Sequence, residues 1–142
     1  GWSCERPDYR DLDEMMPHLG DVEARIERLY GLAKAVDGPV LLAGSSMGSF
    51  ISAQVSLRLP VRGLFLMAPP ISLHGYAVRL QTAAVPLSIV NGCNYELIPA
   101  DDVLGCAKLH NARVCMVNDD HRLGSHVDYC AQQFALFLGS LS

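Results

Sequence analysis

Four short apolar runs stand out along the chain: Val40-Leu41-Leu42-Ala43, Leu64-Phe65-Leu66-Met67, Leu87-Ser88-Ile89-Val90 and Val114-Cys115-Met116-Val117. Each is bounded by Gly, Pro, Asn, Asp or another polar residue. Continuous apolar runs of this length predict strands buried on both faces. A weaker strand is expected at Ser3-Cys4-Glu5-Arg6, ending at Pro7. Between the runs the apolar period changes from two to three and four. Val22, Ile26, Leu29, Ala33 and Val36 fall on one helical face, and Asp37-Gly38-Pro39 stops that helix. Residues 49–57 read as a second helix. Pro99-Ala100-Asp101-Asp102 opens a third, with acids in the first turn where the helix dipole favours them, and Val103, Ala107 and His110 share a face. Val127, Cys130, Phe134, Phe137 and Leu141 mark the last helix.

Alternation of strand and helix implies crossover units and a mostly parallel sheet with helices on both faces. The class is α/β, and 1–142 reads as one domain, because no repeat, low-complexity segment or linker interrupts it. The long irregular stretch from Ala68 to Val85 reads as a surface loop or a lid.

Charge narrows the partners. The net charge is −4 and the basic residues are scattered, so a nucleic-acid partner is not expected. No Lys/Arg-rich amphipathic stretch suggests a membrane surface, and no apolar run reaches the ~18 residues of a membrane span. The start, Gly1-Trp2-Ser3-Cys4, lacks a signal-peptide pattern and an initiator Met, so a longer gene product is expected. The five cysteines form no C-x-x-C pair. Reduced thiols in a cytoplasmic protein are the expectation, with no disulfide framework and no zinc site.

The candidate chemistry lies at Gly44-Ser45-Ser46-Met47-Gly48, a G-x-S-x-G pattern. Alone the pattern is weak, and a Gly/Ser loop that only turns the chain is the plain alternative. Its context strengthens it: a buried strand ends just before it and a helix starts just after. On such a strained turn Ser46 is the candidate nucleophile. Gly44 and Gly48 are expected to remove side chains that would clash, and the Met47 N–H, at the helix N-terminus, could hold an oxyanion. Of five histidines, His121 lies in the polar loop Asn118-Asp119-Asp120-His121-Arg122-Leu123 after the last strand, where this arrangement carries its base. The alternative is a loop histidine bonded to Asp119 or Asp120. His126 lies five residues further on, at the start of the last helix. His18, His74 and His110 read as surface or core residues, although His74, in the long loop, is also a candidate substrate contact.

These segments, together with residues 91–103, resemble a family of small, lidless bacterial α/β-hydrolases related to YqiA-like short-chain esterases. The resemblance covers nearly the whole chain. It implies a serine hydrolase acting on a small carboxylic ester or thioester through an acyl-enzyme, without cofactor or metal. It also implies a triad acid three residues after Gly92, and that position is Tyr95, which is neutral near pH 7. Glu96, next to it, is the candidate acid; Asp101, Asp102 and the lack of a working acid stay open. The family's first strand and its His-Gly oxyanion loop have no counterpart, so the fold is expected to be a minimal, N-terminally incomplete α/β-hydrolase with a gap beside Ser46. A longer chain or a second copy, giving a homo-oligomer, would fill it. The rival expectation is a weakly active or inactive relative that binds a small ligand or a protein.

Overall fold

The computed structural model describes residues 2–11, 22–73, 78–94 and 98–141. In chain order its elements are α1 (Val22–Lys34), β1 (Leu41–Ser45), α2 (Met47–Ser56), β2 (Gly63–Met67), β3 (Leu87–Gly92), α3 (Ala100–Leu109), β4 (Arg113–Val117), a 3₁₀ turn (Gly124–His126) and α4 (Val127–Ser140). The four strands are parallel and lie side by side in chain order, β1-β2-β3-β4. The sheet is therefore parallel, with crossovers between strands, as the alternation predicts.

Residue alternation along each strand divides the core in two. Leu42, Leu64, Leu66, Leu87 and Ile89 point to one face, which α1, α2 and α3 cover with Ile26, Phe50, Val55 and Val103. Phe65, Val90 and Val117 point to the other, where α4 packs Cys130 and Phe137 against them. The Phe65 ring lies 5.0 Å from that of Phe134 and 5.9 Å from that of Phe137, in tilted geometry. Every residue of α2 except Met47, Gly48 and Gln54 is buried, because this helix lies between α1 and the sheet.

Four local expectations need correction. Ser3–Arg6 is not a strand: these residues are exposed and irregular, since four polar side chains ending at a proline offer no apolar face to bury and lose a donor. Burial on both faces holds for β2 and β3 but not for the outer strands. Ala43 and Ser45 of β1 are exposed, and so is Arg113 of β4. Val36 lies beyond the end of α1 and is 45% exposed, because the chain has already left the helix before Gly38 turns it at φ 119°. Val127 is 65% exposed at the start of α4, one turn before that helix reaches the sheet with Cys130.

The described part of the 68–85 stretch folds onto the body. Ile71 and Leu80 are buried in the core, and the Leu80 N–H donates to the Ile71 carbonyl at 2.7 Å. The Ala83 N–H donates to Ser56 Oγ at 3.0 Å. His74 and His18 lie outside the described residues. His110 is half-buried at the end of α3, within 3.4 Å of Thr82 Oγ1.

Candidate active site

The site begins where β1 ends. Ser46 sits between β1 and α2 with φ 54° and ψ −123°, a conformation that L-residues rarely hold. Such strain persists only where surroundings over-determine it, and here they do. The Ser46 N–H donates to the Met67 carbonyl at 2.9 Å, tying the turn to the end of β2. The Ser46 carbonyl accepts the Ser49 N–H at 2.9 Å, closing the first turn of α2. Ser49 is fully buried, and its hydroxyl lies 2.8 Å from the carbonyls of both Gly44 and Met67. From sequence Ser49 is only a neighbouring hydroxyl; in the fold it braces the turn.

The two motif glycines differ. A Cβ on Gly44 would lie 2.3 Å from the Gly48 carbonyl carbon and oxygen and 2.7 Å from the Ser49 nitrogen. No side chain fits there, so the strand can meet the helix only through glycine. A Cβ on Gly48 would meet nothing within 4 Å. The expectation that Gly48 relieves a clash is thus corrected: the clash is against its backbone, from position 44. Met47, first residue of α2, carries one of the N–H groups that a helix start leaves without an intrahelical acceptor.

His121 reaches this turn from the loop after β4. Its Nε2 lies 2.7 Å from Ser46 Oγ, across 75 residues of sequence. Partial burial pushes the imidazole below the ordinary histidine value. Arg122 acts in the same direction, and Asp120 opposes it. A ring held neutral presents Nε2 as an acceptor for the Ser46 hydroxyl proton.

Asp119 does not serve His121 with its carboxylate. That carboxylate accepts the Asp120 N–H at 2.8 Å, the Ser125 N–H at 2.9 Å and His126 Nδ1–H at 2.9 Å. Asp120 instead accepts the Arg122 N–H at 2.9 Å. Asp101 and Asp102 are exposed in the first turn of α3. Tyr95 and Glu96 lie outside the described residues.

The loop that leads to them is nevertheless fastened at its start. The Cys93 N–H donates to the Val117 carbonyl at 2.9 Å, the Asn94 N–H to the Asp119 carbonyl at 3.1 Å, and Asn94 Nδ2 to Asn118 Oδ1 at 2.5 Å. Gly92 makes this approach achievable, because a Cβ there would lie 2.3 Å from the Asp120 carbonyl oxygen and 2.5 Å from that of Asp119. Sequence reasoning missed Asn94, Asn118 and this use of Gly92. Their bonds join residues more than twenty positions apart and leave no local pattern.

Beside the pair, a cavity of about 380 Å³ opens between β1, β2 and α4, lined by Ser45, Met67, Arg122, Leu123 and Phe134 among others. It runs along the exposed side of β1. Among the described residues no cluster of three or more His, Cys, Asp or Glu could hold a metal ion, and no helix is long and apolar enough to cross a membrane.

A crystal structure from Xanthomonas campestris pv. campestris, of a protein assigned to the α/β-hydrolase superfamily, matches with a TM-score of 0.93 at 50% identity, covering 98% of this chain and 82% of that one. The chain belongs to the α/β-hydrolase superfamily. A YdeN-like protein from Pectobacterium atrosepticum matches with a TM-score of 0.74 at 18% identity, covering 92% of this chain and 81% of its own. An α/β serine hydrolase homologue from Coxiella burnetii gives 0.66 at 24%, covering 100% and 64%. At these lower identities the likeness shows the fold alone. No protein-family model and no curated protein matches the sequence.

Proposed function

We propose that this α/β-hydrolase is a serine hydrolase that cleaves a small carboxylic ester or thioester through an acyl-enzyme on Ser46. The observation that carries the reading is the 2.7 Å contact between Ser46 Oγ and His121 Nε2 on a strained strand-to-helix turn. In the reaction Ser46 Oγ attacks the substrate carbonyl carbon while its proton passes to His121 Nε2. The negative oxygen that forms is stabilised by the Met47 N–H and the positive end of α2. Collapse of this intermediate breaks the bond to the alcohol or thiol, which takes the proton from His121. Water, deprotonated by the same nitrogen, then attacks the acyl group and releases the carboxylic acid and free Ser46.

The third member of the triad is proposed to be Glu96, beside Tyr95, the position that corresponds to the acid in YqiA-like esterases. Elsewhere a triad acid is worth about 10⁴-fold in kcat. Glu96→Gln should therefore cripple the enzyme if Glu96 serves. If it does not, Tyr95→Asp should raise kcat/KM. The alternative reading is a weakly active or inactive relative that binds a small ligand or protein, and Tyr95 is what favours it. Hydrolysis of p-nitrophenyl butyrate separates the two. Parent activity that Ser46→Ala abolishes supports the hydrolase; equal rates for parent and Ser46→Ala overturn it.

We further propose that an additional strand of a longer gene product pairs with β1 in the working enzyme. The support is the exposed Ala43 and Ser45 of a strand that carries the nucleophile turn at its end. Among the described residues β1 is an outer strand of the sheet, and an open parallel edge leaves backbone donors and acceptors unpaired. The longer product should melt above this chain. Coincident melting curves, with this chain monomeric, would reject the added strand, whereas a stable homodimer of this chain would assign the edge to a second copy.

A further inference from the structure

We propose that Asp119 and His126 form a clamp that positions His121 against Ser46; this rests on the reading of Ser46 and His121 as nucleophile and base. Both are positioning residues, since neither touches Ser46 in the structure.

The loop from 118 to 126 offers few apolar anchors among its residues. Asn118, Asp120, Arg122, Gly124 and Ser125 are exposed, and Leu123 is its one deeply buried side chain. Leu123 also sits at φ 57°, a left-handed conformation that a leucine holds only under outside constraint. The constraint is polar and centres on one carboxylate. Asp119 is 8% exposed at its side chain, and both of its oxygens are bonded. Oδ1 accepts the Asp120 N–H, and Oδ2 accepts both the Ser125 N–H and His126 Nδ1–H. Because a carboxylate only accepts, His126 must carry its proton on Nδ1. The His126 bond, foremost, holds the Asp119 carboxyl below its ordinary range, so the clamp is closed at neutral pH.

The geometry of the ring explains what the clamp does. Asp119 grips the chain one residue on and again six and seven residues on, so His121 sits inside a closed loop. The Asp119 carbonyl accepts the Asn94 N–H, which fixes that loop to the segment after β3. His126 is the last residue of the 3₁₀ turn and joins α4, so the carboxylate also ties the loop to the helix on the sheet. The His121 ring is thereby referenced to β3, β4 and α4 at once. Misplacement of a reacting group by about 1 Å can cost about 100-fold in rate, so a loop carrying the base needs such referencing.

The test measures the labelling rate of the full chain by a fluorophosphonate, read by intact mass, with kcat and KM for p-nitrophenyl butyrate alongside. Asp119→Ala should label about 100-fold more slowly and lower kcat with KM within about twofold of the parent. His126→Leu should label about tenfold more slowly, by loss of one charge-assisted bond. His126→Asn places an amide N–H where Nδ1–H stands and should recover to within about threefold of the parent. A role in stability alone would lower the melting temperature and leave the labelling rate of the folded protein unchanged. If Asp119→Ala does not fold, the two His126 variants decide. Labelling of Asp119→Ala and His126→Leu at the parent rate overturns the clamp while Ser46→Ala and His121→Gln stay silent. His126→Asn as slow as His126→Leu also overturns it. A parent that does not label, or a Ser46→Ala that does, rejects the nucleophile reading and the clamp with it.

Discussion

The turn after β1 and the loop after β4 bring Ser46 and His121 together, but they are held in different ways. The turn is fixed by exclusion: Gly44 lies where any Cβ would strike the backbone of α2, and buried Ser49 braces what glycine allows. The loop is fixed by polar bonds, to Asn94 across the sheet top and to Ser125 and His126 further along the chain. Steric exclusion is local and unforgiving. Hydrogen bonds spread over several partners tolerate the loss of one, at a cost in position before a cost in folding. A nucleophile on a rigid turn and a base on an adjustable loop form one way to build the pair, and the two halves should respond differently to substitution.

The largest effect is expected at Gly44. Gly44→Ala forces β1 and α2 apart, and overpacking of this kind costs about 3 kcal/mol; urea unfolding should show it, with loss of fluorophosphonate labelling. A variant as stable and reactive as the parent would break the contrast. Gly92→Ala comes next. Its clash is with the Asp119 and Asp120 carbonyls of a loop that can shift, so we expect about 1–2 kcal/mol, together with a rate loss of about 10- to 100-fold from the displaced His121. A larger loss of stability here than at Gly44 would reverse the comparison. Ser49→Ala removes one buried hydroxyl bond and should destabilise by about 1 kcal/mol, measurable as a lower melting temperature.

The pH profile sharpens the loop side. His121 must be neutral to accept the Ser46 proton, and partial burial lowers its pKa. Activity is then fully present above that pKa and is lost as pH falls through it. The acid limb of kcat/KM should have its midpoint below about 6.5, the ordinary histidine value. A midpoint above that value would mean that a carboxylate dominates the ring. The smallest effect is expected at Gly48. With open space around the missing Cβ, Gly48→Ala should change this chain's stability by no more than about 1 kcal/mol, in the stabilising direction that helix propensity favours. A loss of stability larger than that would contradict the open space around position 48.

What the sequence made legible follows the same division. The four strands and the helices between them were readable because each announces itself within ten residues, by an apolar run or by a three-and-four period. The strand-to-helix context of Ser46 and the position of His121 after the last strand were readable in the same local terms. The misreadings concern surroundings. Ser3–Arg6 has no apolar face to support a strand, and an apolar run such as that of β1 does not say whether its strand is central or at an edge. Val127 shares the period of α4 but precedes its contact with the sheet. The bonds of Asn94 to Asn118 and to the Asp119 carbonyl had no signal at all, since they depend on which loops end at the same end of the sheet. Gly92 was legible as the glycine ending a strand, but its role against the Asp119 and Asp120 carbonyls was not.

The most direct test of the central claim is the mass of the protein during turnover. Mixed with excess p-nitrophenyl butyrate and quenched in acid within seconds, the parent should carry one butyryl group, and peptide mapping should find it on Ser46. Ser46→Ala should carry none. A butyryl group on another residue, or hydrolysis by the parent undiminished in Ser46→Ala, would contradict the assignment of Ser46 as the nucleophile.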